Sequence, residues 1–300
     1  MTASAHRLIL VAIACTIPVW TCVRWAASQQ ETPQVTFRTE VRLVEVYAAV
    51  FDSKGQHVTG LSQEQFEVLD NGQPQPIVLF ETTDAGLFLA ILLDTTGSMQ
   101  GVLPALKNAT VRLIDQLRPN DLVAVYGFST TLRVLQGFTG DKDAAKRAVL
   151  SIRSGGATAL FDAVSRVLFD LTPHKGKKAI VAFTDGQDNA SYLEPDAAST
   201  RARKVGVPLY TIAEGAALQN SSLVALLHNL SLRTGGVAFM ARKASRMDEI
   251  FSQISEDLQH CYLLAYVAPP VEGDAWRTIQ VSVKGVKNAR IRAKQGYFPK

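Results

Sequence analysis

The chain has 300 residues, of which 47% are hydrophobic and 19% are charged. These proportions are ordinary for a globular protein and exclude a chain that is disordered by composition. The formal net charge of +4 is small. Lysine and arginine form no dense block along the sequence, so the charge pattern gives no indication of nucleic-acid binding.

The first 28 residues differ in composition from the rest of the chain. An uncharged apolar run covers residues 8–23 behind Arg7, and Ala26 and Ser28 supply the small residues of a signal-peptidase site. We therefore predict a signal peptide over residues 1–28, with an uncleaved membrane anchor as the alternative. Either segment predicts an exported protein that is periplasmic, extracellular or envelope-associated, with membrane contact only through an uncleaved N-terminal segment.

Cys261 is the one cysteine left when the N-terminal segment is set aside. A single thiol cannot form a disulfide within the chain, so the exported part must be stabilised by its hydrophobic core. Because Cys261 precedes the apolar run YLLAYVA, we predict that it is a buried thiol on a strand.

Two segments at the ends of the exported part are predicted to form strands. In residues 29–85, the run VTFRTEVRLVEVYAAVFD alternates apolar and polar residues, which is typical of a strand with one buried face. Asn71-Gly72 lies between FEVL and IVLF, a pattern that predicts a hairpin of these two runs. Residues 259–300 contain CYLLAYVAPP, RTIQVSVKG and ARIRAKQGYF, and we expect them to pair with the first segment in a small β-rich module.

Residues 86–258 show a different rhythm, in which short apolar runs alternate with amphipathic patterns. LFLAILL, LVAVYGF, AIVAF, PLYTIA and VAFM are predicted buried strands, and helical stripes begin near Leu103, Leu160 and Met247. TTLRVLQGFT, at 130–139, is expected to add an antiparallel edge. This order predicts an α/β fold with a Rossmann-like, doubly wound, mainly parallel sheet and helices on both faces.

Oxygen-bearing side chains recur at three points of the expected carboxyl edge of this sheet, where α/β folds bind ligands. Such a residue on its own is commonly a helix cap. Three segments in the right order favour a shared metal site instead. Oxygen ligands without histidine or cysteine suit Mg²⁺, with Mn²⁺ or Ca²⁺ as alternatives. The candidate ligands are Asp94, Thr96, Ser98, Thr158 and Asp185.

The sequence DTTGS, with Thr158 and Asp185, resembles the metal-ion-dependent adhesion site (MIDAS) of von Willebrand factor type A (VWA) domains. The resemblance covers residues 86–258, and Thr96 stands where serine is commoner. It implies that the five residues hold a divalent cation, and that a Glu or Asp carboxylate of a protein partner binds to that cation. It also implies an adhesion or binding protein that is not an enzyme. The flanking β segments resemble those of exported acidobacterial-type proteins that carry this domain.

Two other functions stay open at this stage. DTTGS is similar to the Asp-x-Thr-Gly-Thr nucleophile of P-type ATPases, which suggests a Mg²⁺-dependent phosphatase-like enzyme with Asp94 as nucleophile and Lys177 or Lys178 nearby. A metal-independent interaction module would keep the fold and lack the cation. Partner binding that EDTA abolishes would distinguish the adhesion protein from both.

Overall fold

The computed structural model describes residues 42–299 except residues 83, 186–187 and 244–245. The predicted signal peptide or anchor therefore lies outside the described residues. Within the described part, no helix combines the length and the apolar character that a membrane crossing requires. All the described residues belong to one compact unit.

The described chain begins and ends with strands, and helices alternate with strands between them. The helices are α1 (Leu103–Asp115), α2 (Lys142–Ser151), α3 (Leu160–Leu171), α4 (Pro195–Val205), α5 (Ser221–Thr234) and α6 (Met247–Gln259). The strands are β1 (Leu43–Phe51), β2 (Phe66–Asp70), β3 (Gln73–Gln75), β4 (Leu79–Glu81), β5 (Leu87–Asp94), β6 (Leu122–Phe128), β7 (Leu132–Thr139), β8 (Lys177–Thr184), β9 (Leu209–Glu214), β10 (Ala238–Ala241), β11 (Cys261–Val267), β12 (Arg277–Val283), β13 (Arg290–Ala293) and β14 (Gly296–Tyr297).

A six-stranded sheet of order β10-β9-β8-β5-β6-β7 forms the centre of the α/β domain. Its strands pair in parallel except β7, which runs antiparallel to β6. The mainly parallel sheet and its antiparallel edge, both predicted from the sequence, are thus confirmed. Strands β5 and β8 are almost completely buried because helices cover both faces, which explains why their sequences are apolar without alternation.

Each face of the sheet has its own helical layer. Helices α1, α2 and α6 share a core with Leu89, Ile91 and Leu93 of β5, whereas α3, α4 and α5 share one with Ala90 and Leu92. Alternate residues of one strand therefore serve opposite cores. The chain leaves β5 towards β6 on one side and later returns to β8 on the other, so the strand order reverses between β5 and β8. In open α/β sheets, a reversal of strand order leaves a crevice at the carboxyl ends of the strands, and ligands bind there.

The flanking segments form two further sheets, of order β13-β1-β11-β4 and β14-β12-β2-β3. Strand β1 pairs with β11 and β13, and β2 pairs with β12, so the expected pairing of the two end segments is confirmed. The two sheets share one hydrophobic core and form a β-sandwich. The α/β domain is inserted between the strands β4 and β11 of this sandwich.

The hairpin at Asn71-Gly72 is confirmed, but its second strand is shorter than predicted. Both turn residues have positive φ, +48° and +77°, as a type I′ turn requires. Strand β2 pairs with residues 73–75, and residues 79–81 cross to the other sheet, where they pair with β11. The run IVLF is therefore not the hairpin partner of FEVL, because two prolines at 74 and 76 limit the paired segment.

Cys261 lies buried at the start of β11, as predicted. Burial raises the pKa of its thiol to about 12. The thiol therefore stays protonated at neutral pH, and it is a structural group rather than a reactive one.

Lys294 is a buried cation of the sandwich whose amine lies beside Gly206, the C-cap residue of α4. Burial lowers its pKa from 10.5 to about 8. The folded protein therefore carries a penalty that is fully present below pH 8 and disappears as the pH approaches 10.5. We expect Lys294→Met to raise the free energy of unfolding at pH 7 by about 2–3 kcal/mol.

Urea unfolding of both proteins at pH 7 and at pH 10 measures this effect, and the advantage of Lys294→Met should shrink at the higher pH. Lys284→Met, at an exposed position, is the control and should change stability little at either pH. An advantage of Lys294→Met that is the same at both pH values would contradict the assignment.

Candidate metal centre

Asp94 is the last residue of β5 and is completely buried, although it is an acid. One of its carboxylate oxygens, Oδ1, accepts a hydrogen bond from the backbone N–H of Thr96, at 2.9 Å. The other, Oδ2, accepts one from the hydroxyl of Thr184 at the end of β8, at 2.8 Å. The carboxylate is thus fixed between the ends of the two strands at which the strand order reverses.

Thr96 and Ser98 follow in a short 3-10 helix, Gly97–Gly101, and its N-cap. The hydroxyl oxygens of Thr96 and Ser98 are 3.0 Å apart. The Ser98 hydroxyl donates to Oδ1 of Asp185, also at 3.0 Å. Four of the five predicted site residues, Asp94, Thr96, Ser98 and Asp185, therefore lie together at the carboxyl ends of β5 and β8.

The spacing of these oxygens is compatible with a bound divalent cation. Adjacent ligands of an octahedral Mg²⁺ at 2.0–2.1 Å lie about 2.9 Å from each other, whereas Ca²⁺ at about 2.4 Å would separate them by about 3.4 Å. The Thr96–Ser98 and Ser98–Asp185 distances are both 3.0 Å. Hydrogen bonds between oxygens have the same length, so the residues present are compatible with Mg²⁺, Mn²⁺ or Ca²⁺.

Thr158 reaches the same edge on the loop that precedes α3. The N–H of Gly155 donates to the carbonyl of Thr95 at 2.7 Å, which fastens this loop to the loop after β5. The N–H of Thr158 donates to Oδ1 of Asn189 at 2.9 Å. Thr158 is only 4% exposed. Its loop is thus fastened to the loop after β5, and the backbone hydrogen bonds of Thr158 itself run to the loop after β8.

Two aspartates fix the loop after β8: Asp188, which lies in the loop, and Asp162, which lies in α3. Asp188 accepts hydrogen bonds from the N–H of Phe161 in α3 and from Ser191. Asp162, in the first turn of α3, accepts from the N–H groups of Tyr192 and Leu193, at 2.9 Å each. This network leaves the Tyr192 side chain 98% exposed on a loop whose backbone is well fixed. Exposed aromatic residues on fixed loops are typical of binding surfaces.

The electrostatics of the centre favour a cation. Burial raises the pKa of Asp94 and of Asp185, against the opposing effect of their hydrogen bonds with Thr96, Thr184 and Ser98. Glu214, at the end of β9, has a raised pKa because of burial and the nearby charge of Asp185. Among the residues that the structure describes, no ion pair involves any of these three acids. Negative charge is therefore concentrated without compensation by a basic side chain.

A cation here would depend on hydroxyl oxygens as well as carboxylates. In the described chain, no group of three or more Asp, Glu, His or Cys side chains is close enough to bind a metal by itself. Two carboxylates and three hydroxyls make a hard oxygen donor set of the kind that suits Mg²⁺.

The lysines that a phosphatase would need lie at the wrong edge of the sheet. Lys177 and Lys178 begin β8, whereas Asp94 lies beyond its other end, after Phe183. Eight strand residues separate the two edges by about 23 Å. Lys178 forms an ion pair with Glu45 at 3.0 Å, and the Lys177 amine donates to the carbonyl of Leu258. Neither lysine can assist a nucleophile at Asp94.

The sequence patterns did not identify Thr184 and Asp188, which hold the site residues and their loops in place, or Glu214, which lies beside Asp185. Thr184 and Glu214 are the last residues of their strands, as Asp94 is of β5. This shared position is the sequence signal that could have identified them. Asp188 and Asn189 lie in the motif TDGQDN, and their role in holding the α3 loop depends on a contact between distant segments.

Residues 89–253 match the profile of the von Willebrand factor type A domain. A solved von Willebrand factor type A protein from Catenulispora acidiphila is similar in fold, with a TM-score of 0.52 and 14% identity over 87% of this chain and 74% of that one. Proximal thread matrix protein 1 of the mussel byssus is similar with a TM-score of 0.53 and 18% identity, over 63% and 49%. A comparison with curated protein sequences gave no significant match.

A variant of the PilB minor pilin from Streptococcus sanguinis has a TM-score of 0.49 and 16% identity, over 59% of this chain and 62% of that one. This chain therefore spans less than two thirds of the pilin and about half of the byssus protein. The family match covers more than half of the chain and extends from β5 to α6, which includes every strand of the central sheet. The chain belongs to the von Willebrand factor type A domain family.

Proposed function

We propose that this protein is an exported binding or adhesion protein that engages a protein partner through a divalent cation at a MIDAS-type centre. Asp94, Thr96, Ser98, Thr158 and Asp185 would hold the cation, most favourably Mg²⁺. When bound, the cation supplies a positive charge that can accept a Glu or Asp carboxylate from the partner. The observation that carries the proposal is the hydrogen-bonded chain of oxygens, 3.0 Å apart, between the ends of β5 and β8.

The charge and exposure of the centre support a binding role. The hydroxyl oxygens of Thr96, Ser98 and Thr158 are neutral donors, and an incoming carboxylate that binds directly to a divalent cation gains more than it would from a surface lysine. The exposed Tyr192, on the loop that holds Thr158, offers an aromatic side chain for contact with a partner. Family membership also supports interaction rather than catalysis, and the position of Lys177 and Lys178 removes the basic group that the phosphatase alternative needs.

An exported location is part of the same proposal. It rests on the apolar run at residues 8–23 and on the small residues that follow it.

The test of this function uses the exported fragment, residues 29–300, in immobilised form. It measures whether this fragment captures a partner from an envelope fraction. We expect Mg²⁺ or Mn²⁺ to permit capture and EDTA to abolish it, and we expect Asp94→Ala to capture nothing in either condition. Asp115→Ala, at an exposed position of α1, is the matched control and should behave as the unaltered protein. Equal capture with Mg²⁺ and with EDTA would favour the metal-independent interaction module instead.

A further inference from the structure

Glu214 is an acid at the edge of the candidate metal centre, and it is not one of the five predicted ligands. It ends β9, the strand next to β8. Thr184 of β8 pairs with Ala213 of β9, so the residues that follow them, Asp185 and Glu214, lie side by side at the carboxyl edge.

The pleat of the two strands brings these acids to the same face. Tyr210 and Ile212 of β9 belong to the core under α1 and α6, and so does Phe183 of β8. Glu214 and Asp185 continue these two series at a spacing of two residues, and both therefore point towards that face. The 3-10 helix with Ser98 lies there too, since its Met99 packs in the same core.

The turn after β9 closes around Asp185. The N–H of Ala217 donates to the carbonyl of Asp185 at 2.8 Å. Gly215 adopts a positive φ of +58°, and a Cβ at this residue would lie 3.7 Å from Cβ of Asp185. The backbone of Glu214 is thus fixed beside Asp185 rather than free to move away.

The carboxylate of Glu214 has no basic or hydrogen-bonding partner among the residues that the structure describes. It is half-buried, and its strongest charged neighbour is another acid, Asp185. Such an arrangement is unfavourable in the protein by itself, because like charges repel and neither is neutralised. It becomes favourable when a divalent cation binds next to Asp185.

We propose that Glu214 is an additional acid of the cation centre, which strengthens cation binding through its negative charge from beside Asp185. This inference rests on the proposed function, since it assumes the same cation. Glu214 acts on the cation through space or through a bound water and not as a direct ligand, in agreement with the lack of a closely packed group of three acids in the described chain.

The test is a calorimetric titration with Mn²⁺ alone of four proteins: the unaltered exported fragment, Glu214→Gln, Glu272→Gln and Asp94→Ala. Glu272 is exposed in the sandwich segment, so its variant controls for the loss of one negative charge. We expect Glu214→Gln to weaken Mn²⁺ binding by about three- to tenfold at low ionic strength. Glu272→Gln should bind as the unaltered protein does, and Asp94→Ala should show no binding.

Salt separates an effect of charge from direct ligation. Added KCl screens charges that are not in contact, so the difference between Glu214→Gln and the unaltered protein should decrease as KCl is raised. The EDTA-treated Glu214→Gln variant should also unfold at a temperature about 1–3 °C higher than the EDTA-treated unaltered protein, because one repulsion is removed. Added Mn²⁺ should reduce or reverse that difference.

The outcomes distinguish this inference from the proposed function. Equal Mn²⁺ affinity of Glu214→Gln and the unaltered protein, with binding lost in Asp94→Ala, would overturn the role of Glu214 and leave the centre intact. A loss in Glu214→Gln that KCl does not reduce would overturn the electrostatic mechanism. If the unaltered protein bound no Mn²⁺, the proposed function itself would fail.

Discussion

Asp94→Ala is expected to weaken Mn²⁺ binding by at least about 100-fold while the folded structure is retained. Loss of outer groups of a metal site already costs about 10–100-fold in affinity, and Asp94 is at the middle of this centre. Its carboxylate fixes the N–H of Thr96 and the hydroxyl of Thr184. Without it, the oxygens at the end of β5 lose both their charge and their orientation.

The fold should survive this change because the Asp94 carboxylate is buried without a basic partner. Burial raises its pKa, which means that its charge destabilises the protein in the absence of a cation. Calorimetric titration measures the affinity, and circular dichroism with thermal unfolding checks the fold. Asp94→Asn, which keeps the shape but removes the charge, should also lose binding. Unchanged affinity in a folded Asp94→Ala variant would rule out the centre.

Asp70→Ala is expected to lower the free energy of unfolding by about 3–5 kcal/mol, the usual cost of breaking a buried ion pair. Asp70 ends β2 and is completely buried. It accepts hydrogen bonds from Nε of Arg277 at 2.7 Å and from the hydroxyls of Tyr266 and Tyr297, at 2.9 and 2.8 Å. One carboxylate thus joins four strands of the sandwich, and its removal leaves a guanidinium and two hydroxyls without their acceptor.

Urea unfolding measures this loss, and an exposed ion pair supplies the comparison. Lys204 and Asp274 are 3.0 Å apart, but both side chains are about 40% exposed, so Asp274→Ala should cost no more than about 1 kcal/mol. Asp70 is remote from the carboxyl edge of the central sheet, and folded Asp70→Ala should therefore bind Mn²⁺ as the unaltered protein does. A cost below 1 kcal/mol would show that Asp70 contributes little to the sandwich.

The α/β domain was predictable because its signals are local. Runs such as LFLAILL are short and apolar at every position, as in strands of a sheet covered on both faces. Stripes from Leu103, Leu160 and Met247 mark helices α1, α3 and α6. The positions of Asp94 and Asp185 follow from the same signals, because each ends such a run.

Other features depend on contacts that the sequence does not encode locally. The two prolines after Asn71-Gly72 limit a hairpin whose turn was predicted correctly, and the strand β4 leaves for the other sheet. Lys177 and Lys178 precede TDGQDN by only a few residues, yet one strand length separates them from Asp94. The proximity of Glu214 to Asp185 depends on the register of β8 against β9, and no periodic pattern specifies that register.

The insertion of the α/β domain has a consequence for the order in which the chain folds. Strand β1 pairs with β11 from Leu43↔Val267 to Ala49↔Cys261, so its partner is synthesised more than 200 residues later. A search over a loop of that length is slow, and unpaired strands are exposed to aggregation meanwhile. When the α/β domain has folded, the ends at β4 and β11 lie side by side, and the remaining loop to be closed is short. The folded domain thus brings together the two parts of the sequence that form the sandwich.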